Sequence, residues 1–116
     1  MEEAIDLLEE RAELLKALAH PSRLAILETL KEGERCVCEI IDRVVLEQSN
    51  TSQHLNVLKK SGILGSRKEG ARVIYWVTNP EIYKLLDILD AVIMDKAEKS
   101  SRLLVQSRST GGTGSV

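Results

Sequence analysis

Aromatic side chains are scarce in this 116-residue sequence, which has no phenylalanine, one tryptophan and two tyrosines. The core must therefore consist of leucine, isoleucine, valine and alanine, as in helical bundles and small winged domains. With 43% hydrophobic residues, the chain has enough apolar material for one ordinary domain. We therefore expect a single, mainly helical domain.

Long hydrophobic runs are also missing, since no stretch approaches the roughly 18 apolar residues that a membrane span needs. The first ten residues, MEEAIDLLEE, are acidic, which predicts neither a signal peptide nor an anchor, and we expect a cytoplasmic protein. Only two cysteines are present, and that compartment keeps thiols reduced, so a permanent disulfide is not expected. The sequence contains no combination of nucleophile, base and orienting residue and no phosphate-binding loop, which argues against an enzyme.

The formal net charge of −2 argues against an indiscriminate nucleic-acid binder, but the charges are distributed unevenly. Residues 1–18 carry six acidic and two basic side chains, a local sum of −4. Residues 48–80 carry five basic side chains and one acidic side chain, a local sum of +4. This basic segment is either a solvated charged surface or the surface that meets an anionic partner.

Apolar residues at three- and four-residue spacing predict five helices. We expect the first helix over about residues 3–18 and the second from Pro21 to near Gly33. A short third helix is expected in and after ERCVCEI (34–40), and the fourth over residues 48–61. The last is expected to begin at about residue 81 and to fade toward Arg102. The final residues are rich in Gly, Ser and Thr, so the domain is expected over 1–105 and a disordered tail over 106–116.

The hydrophobic period changes to two between Arg72 and Thr78, which predicts a strand. Residues 63–68 can pair with this strand across a turn that contains Gly70, so residues 63–78 are predicted to form a β-hairpin. The predicted fold class is mainly α with a small β-hairpin.

A short helix, a tight turn, a second helix with a polar free face and then a basic hairpin is the order of a winged helix-turn-helix. Gln and Asn match adenine in the major groove, Ser can bond bases or phosphates, and Lys and Arg neutralise phosphates. A polar helix facing water is the alternative. The candidate DNA-contacting residues are Gln48, Ser49, Asn50, Ser52, Gln53, His54, Lys59, Lys60, Arg67, Lys68 and Arg72.

Four stretches, LAHPSRLAILETL, ERCVCEI, LEQSNTSQHLNVLKKSGIL and SRKEGARVIYWV, together resemble the ArsR/SmtB family of metal-sensing winged-helix repressors over residues 15–80. The resemblance implies a homodimer whose first and last helices form the interface and whose fourth helix enters the major groove of double-stranded operator DNA. It also implies an inducer that lowers operator affinity. Long apolar stripes on the outer helices support a dimer, because so small a domain could hardly bury them alone.

The segment Glu34-Arg35-Cys36-Val37-Cys38 resembles the Glu-Leu-Cys-Val-Cys motif of the arsenic- and lead/cadmium-responsive branch. Thiolates favour soft ions, so the resemblance implies an inducer such as As(III), Sb(III), Cd(II) or Pb(II) at Cys36 and Cys38, with no cofactor required. Residues i and i+2 of a helix lie about 200° apart, so both sulfurs reach one ion only where the helix is distorted or unformed. Binding is therefore expected to deform the start of the third helix and to disfavour DNA binding.

The chain departs from that branch at the position of a third cysteine, where it has Ile41, so a third ligand would be water, a small thiol or Glu34. Asp87 and Asp90 have no histidine near them, which disfavours the zinc site that the family places on the last helix.

Two other interpretations of Cys36 and Cys38 stay open: a thiol redox switch, and small apolar residues of a core. His20 and His54 lack ligand-like partners in the sequence and are interpreted as structural or DNA-facing.

Overall fold

In a computed structural model, the described residues are 2–43 and 50–109. The elements follow in the order α1 (Glu2–Leu18), α2 (Pro21–Thr29), β1 (Arg35–Cys36), α3 (Val37–Arg43), α4 (Thr51–Lys60), β2 (Leu64–Glu69), β3 (Arg72–Val77) and α5 (Glu81–Ser109). The contacts divide the chain into two compact units, residues 1–80 and 81–116. The predicted fold class, mainly α with a small β-hairpin, is confirmed.

The chain turns between α1 and α2 at His20, whose Nδ1 accepts a hydrogen bond from the Ser22 amide at 3.0 Å. His20 thereby caps α2, and Pro21 occupies the first helical position, where no amide proton is needed. Arg23 ties the two helices together, because its Nε donates to the Ala17 carbonyl at 2.6 Å at the C-terminal end of α1.

The core of the first unit is aliphatic, as the composition predicts. Side chains from three helices meet in it with almost no exposure to solvent: Ile26, Leu27, Ile40, Leu55 and Leu58. Ile63, Leu64 and Ile74 extend this core toward the sheet. The core therefore joins α2, α3 and α4 to the hairpin, which is the arrangement of a winged helix-turn-helix.

The sheet has three antiparallel strands in the order β1-β3-β2. The predicted hairpin is confirmed: Glu69 pairs with Arg72, and the turn between them contains Gly70 at a φ of 64°, a conformation that favours glycine. We refer to residues 64–77 as the wing. The edge strand β1 was not predicted, because two residues are too few to display a period.

The second unit contains α5, which has 29 residues and continues to Ser109, past the predicted fade at Arg102. Residues 106–109 of the predicted tail thus belong to a helix, and residues 110–116 lie outside the described residues. Several large apolar side chains of α5 are exposed in the single chain, among them Ile88, Leu89, Val92 and Ile93. Within the described part of the chain, no helix combines the length and hydropathy needed to cross a membrane.

Gly65 pairs with Trp76 across the wing, and a Cβ at residue 65 would lie 2.6 Å from Cε2 of the indole. We therefore expect Gly65→Ala to displace the indole and to lower the free energy of unfolding by about 1–3 kcal/mol. Urea unfolding followed by circular dichroism measures the change. The control Ser66→Ala, on the same strand, should stay within about 0.5 kcal/mol of the parent; equal stabilities of both variants would contradict the packing argument.

Candidate nucleic-acid interface

The rotation of α4 about its axis follows from Leu55 and Leu58, which are buried on its inner side. Positions on the opposite side of a helix must then face outward. Four polar residues do so and form what we call the polar face of α4: the candidates Ser52, Gln53 and Lys60, together with Asn56. Lys59, in the last turn with Lys60, is exposed as well. The structure therefore offers amide, hydroxyl and ammonium groups together on one side of a helix.

His54 does not belong to this face. It is 8% exposed, its ring centroid lies 4.3 Å from that of His20, and its Nδ1 lies 3.3 Å from Nη1 of Arg23. Residue 54 adjoins Leu55 and precedes Leu58 by one helical turn, so it falls on the buried side of α4. Of the two interpretations given for His54, this burial favours the structural one over the DNA-facing one.

The start of the predicted recognition helix differs from the sequence-based expectation. Gln48 and Ser49 lie outside the described residues, and α4 begins at Thr51, which is buried. Asn50, just before the helix, is exposed. Of the three candidates that precede α4, the structure thus places Asn50 alone, at the end of the helix where N–H groups point outward.

The three basic residues of the wing are exposed, but their surroundings differ. Arg67 makes a bidentate pair with Glu34, at 2.9 and 2.6 Å, and its Nε and Nη2 donate to one Glu69 oxygen at 2.9 and 2.7 Å. Its guanidinium also lies 5.6 Å from the centre of the Trp76 ring. Arg67, a candidate DNA-contacting residue, is therefore engaged with two carboxylates of its own chain.

These contacts shift both titrations. The hydrogen bond from Arg67 holds the pKa of the Glu34 carboxyl below its usual range, and the two carboxylates raise the pKa of Arg67.

Lys68 and Arg72 stand closer to the turn, and Nη2 of Arg72 lies 3.8 Å from Glu39 Oε1, a loose and exposed ion pair. Lys68 and Arg72 are thus better placed than Arg67 to meet an outside anion.

Cys36 and Cys38 are linked by a disulfide, with their Cα atoms 5.4 Å apart. This corrects the expectation that no disulfide would be present. Cys36 is the last residue of β1 and almost fully buried, whereas Cys38 lies exposed in the first turn of α3. Because Cys36 is extended and not helical, the 200° separation of two helical residues does not apply, and the two sulfurs can meet.

A feature that the sequence analysis missed surrounds Cys36. Its backbone amide donates to Glu39 Oε1 at 3.1 Å, and the Glu39 amide donates to Cys36 Sγ at 3.4 Å. This is the reciprocal arrangement of a capping box, in which the first residue is ordinarily Ser or Thr. The sequence signal for this cap is the spacing Cys36-x-x-Glu39 at the start of a helix, in which a sulfur replaces the usual hydroxyl.

The cysteine segment does not carry a complete metal site by itself. Among residues 2–43 and 50–109, no group of three or more His, Cys, Asp or Glu side chains is arranged to hold an ion. Glu34, suggested as a third ligand, has both carboxylate oxygens bonded to Arg67. When the disulfide is reduced, the donor groups that this segment itself offers to an ion are the two thiols of Cys36 and Cys38.

Comparisons with known proteins agree with this geometry. A family model described as "Bacterial regulatory protein, arsR family" matches residues 20–66. An uncharacterised HTH-type transcriptional regulator of Methanocaldococcus jannaschii is 42% identical over 83 residues, 71% of this chain and 93% of that protein. The HTH-type transcriptional repressor SmtB of Mycobacterium tuberculosis is 38% identical over 87 residues, 75% of this chain and 63% of that protein.

Among solved structures, the homodimeric winged helix-turn-helix DNA-binding domain from Mycobacterium bovis is similar, with a TM-score of 0.73 and 30% identity over 85% of this chain and 92% of that one. The fold and the polar face define a winged helix-turn-helix transcriptional regulator. The chain belongs to the arsR family of bacterial regulatory proteins.

Arg67→Ala removes the guanidinium that lowers the pKa of Glu34, so this pKa should return toward the ordinary value of 4.5. Because the pKa is lowered in the folded protein, the pair stabilises the fold above the ordinary value and loses its effect as the pH falls through the lowered one. Carboxyl titration by NMR measures the pKa, and unfolding with pH measures the effect on stability. The destabilisation caused by Arg67→Ala should shrink as the pH falls below the lowered pKa of Glu34.

The matched control is Lys68→Ala, which removes a neighbouring exposed base and should leave the Glu34 titration where it is. A Glu34 pKa that does not move in Arg67→Ala would contradict the assigned ion pair.

Proposed function

We propose that this protein is a homodimeric repressor that binds an inverted repeat in double-stranded operator DNA through the polar face of α4 and the basic residues of the wing. One observation carries the proposal: burial of Leu55 and Leu58 turns Ser52, Gln53 and Asn56 outward on one side of a helix. Gln and Asn side chains are suited to read adenine in the major groove, which admits an α-helix. Lys68 and Arg72 would neutralise phosphates beside it.

A dimer is supported by the apolar side chains that each unit exposes. In α1, Leu7, Leu8 and Leu15 are between 51 and 60% exposed, and α5 exposes a longer stripe. Large exposed apolar side chains on two helices are typical of an interface that a second subunit covers. The similar Mycobacterium bovis domain is homodimeric. Two symmetric copies of α4 would then contact half-sites about one helical turn, or ~34–36 Å, apart.

The inducer of this repressor is a thiophilic ion, As(III) or Sb(III) in the first place and also Cd(II) or Pb(II), bound by Cys36 and Cys38 in their reduced form. Two adjacent thiolates are soft donors that suit such ions. The sulfurs lie where β1 becomes α3, so binding there acts on the helix that supports α4 through the core. No further cofactor is needed for DNA binding.

A second candidate signal is thiol oxidation, and one observation favours it: the Cys36 and Cys38 sulfurs are already within bonding reach and are joined. Oxidation of the two thiols would release two protons and transfer two electrons to an oxidant, closing the bond that the structure contains. In a third alternative, the cysteines are structural and neither treatment alters DNA binding.

Replacing one residue of the polar face tests DNA binding. Gln53→Ala should weaken binding to the DNA upstream of the protein's own coding sequence by about 1–3 kcal/mol, the usual contribution of a bidentate base contact. Fluorescence anisotropy with labelled duplex measures the affinity. The loss should be much smaller on an unrelated duplex, because a base contact contributes to sequence discrimination. Equal losses on both duplexes would contradict the assignment.

Lys68→Ala tests the wing separately. Losing one phosphate contact should weaken binding to all duplexes and reduce the slope of log affinity against log salt by about 1. Lys31→Ala, an exposed base that follows α2, serves as the control and should leave the slope unchanged. If Lys68→Ala leaves the slope at the parent value, the wing does not contact phosphate.

Operator affinity measured under three conditions identifies the inducer: the reduced protein, the reduced protein with sodium arsenite, and the protein oxidised with diamide. We expect arsenite to weaken operator binding of the parent, and Cys38→Ser to abolish this response. Cys38 is the sharper position to change, because it is exposed and its replacement disturbs no core packing. A response to diamide alone would establish the redox alternative, and no response to either would contradict both signals.

A further inference from the structure

The cysteine segment is part of the wing sheet. Strand β1 pairs with β3 so that Arg35 lies opposite Tyr75 and Cys36 opposite Ile74. The same strand β3 pairs on its other side with β2, which carries Lys68. A change in the backbone at Cys36 therefore acts directly on the strand next to the wing's basic residues.

Glu39 joins this strand to its surroundings. Its amide and one carboxylate oxygen are bonded to the Sγ and the amide of Cys36, as described above. The second oxygen, Oε2, lies 3.7 Å from Nη1 of Arg35, whose Nε donates to the Thr29 carbonyl at the end of α2 at 2.7 Å. The first oxygen also lies 3.8 Å from Nη2 of Arg72 in β3. One side chain thus touches the sulfur residue, the edge strand and the wing.

We propose that Glu39 is a positioning residue that couples the covalent state of the Cys36 sulfur to the conformation of wing strand β3. Two contacts carry the coupling: the Glu39 amide hydrogen-bonded to Sγ, and the Glu39 carboxylate shared by Cys36, Arg35 and Arg72. The proposal deepens the proposed function and rests on it for one point, namely that the wing contacts DNA.

The chemistry of sulfur makes the cap sensitive to its state. Opening the disulfide gives Cys36 a thiol, which can donate a hydrogen bond as well as accept one, whereas a disulfide sulfur has no proton to donate. The S–H group can turn toward the Glu39 carboxylate and compete for the oxygen that accepts from the Cys36 amide. A bound ion would instead draw the sulfur electrons away from the amide. Each change alters where the Glu39 carboxylate lies, and therefore how it holds Arg72.

The ion pairs of Glu39 are long and partly exposed, so each is weak as a source of stability. Weak ion pairs suit a coupling role, because a small change at the Cys36 sulfur is then enough to move the Glu39 carboxylate away from Arg72. A plain helix cap would behave differently: it would alter the stability of α3 without making β3 respond to the sulfur.

The test compares the disulfide form, closed with diamide, and the dithiol form, opened with a phosphine, by amide hydrogen exchange. The phosphine breaks the S–S bond, water supplies the two thiol protons and the oxygen, and the phosphine becomes its oxide. In the parent we expect the amides of residues 72–77 to change exchange rate about fivefold or more between the two forms, as for ordinary coupling between sites.

Glu39→Gln keeps an oxygen that can accept the Cys36 amide but removes the charge that holds Arg35 and Arg72. We expect it to abolish the difference in residues 72–77. Arg72→Gln cuts the link at its other end, leaves the cap intact and should abolish the difference as well. Asp42→Asn, which removes the same charge from an exposed position of α3, is the matched control and should retain it.

Protection of the buried α2 residues Ile26 and Leu27 reports whether each variant is folded. If Glu39→Gln loses that protection, Arg72→Gln decides the question alone. The proposal is overturned if the parent exchanges equally in both forms, or if a folded Glu39→Gln or Arg72→Gln variant keeps the difference. No DNA or inducer is present, so this outcome is independent of the operator and inducer measurements that test the proposed function.

Discussion

The burial of Leu55 and Leu58 against α2 and α3 is the constraint from which the rest of the interface follows. A helix that buries two residues three apart has no freedom to rotate, so the side chains on its other side are determined. Those side chains are the hydroxyl, amide and ammonium groups of the polar face, and His54 is turned inward by the same constraint. The largest side chains of this core are aliphatic and well suited to this task, because they have no polar atoms that compete for partners.

The second constraint is the short pairing of β1 with β3, which makes the cysteine segment an edge of the wing sheet. Around it, carboxylates hold the basic residues in place: Glu34 binds Arg67, and Glu39 lies between Arg35 and Arg72. The wing is thus not a free basic hairpin. Its charges are divided between those that position the sheet and those that remain turned toward an outside partner, of which Lys68 is the clearest.

Much of the fold could be predicted from the sequence because long elements repeat their pattern: helices α1 and α2 and the hairpin lie close to the predicted ranges, and α4 lies within its predicted range but begins at Thr51. Strand β1 could not be predicted, since two residues show no period. The burial of His54 could not be predicted without knowing which helices α4 packs against. In the sequence, a polar residue next to a buried leucine can lie on either side of the helix. The disulfide was not expected because the predicted compartment keeps thiols reduced, and the two sulfurs can meet because the helix begins only after Cys36. The capping box is present in the sequence only as Cys-x-x-Glu, in which sulfur takes the place of the Ser or Thr hydroxyl of the ordinary motif.

The central claim is that the polar face of α4 and the tip of the wing lie against duplex DNA. The most direct measurement is an NMR titration of the reduced protein with the duplex upstream of its own coding sequence. The account predicts that the amides of Ser52, Gln53, Asn56 and Lys68 shift together and saturate at one dimer per duplex, while those of the buried residues Ile26 and Leu27 stay near their free positions. Shifts confined to other surfaces, with the polar face of α4 unperturbed, would contradict it.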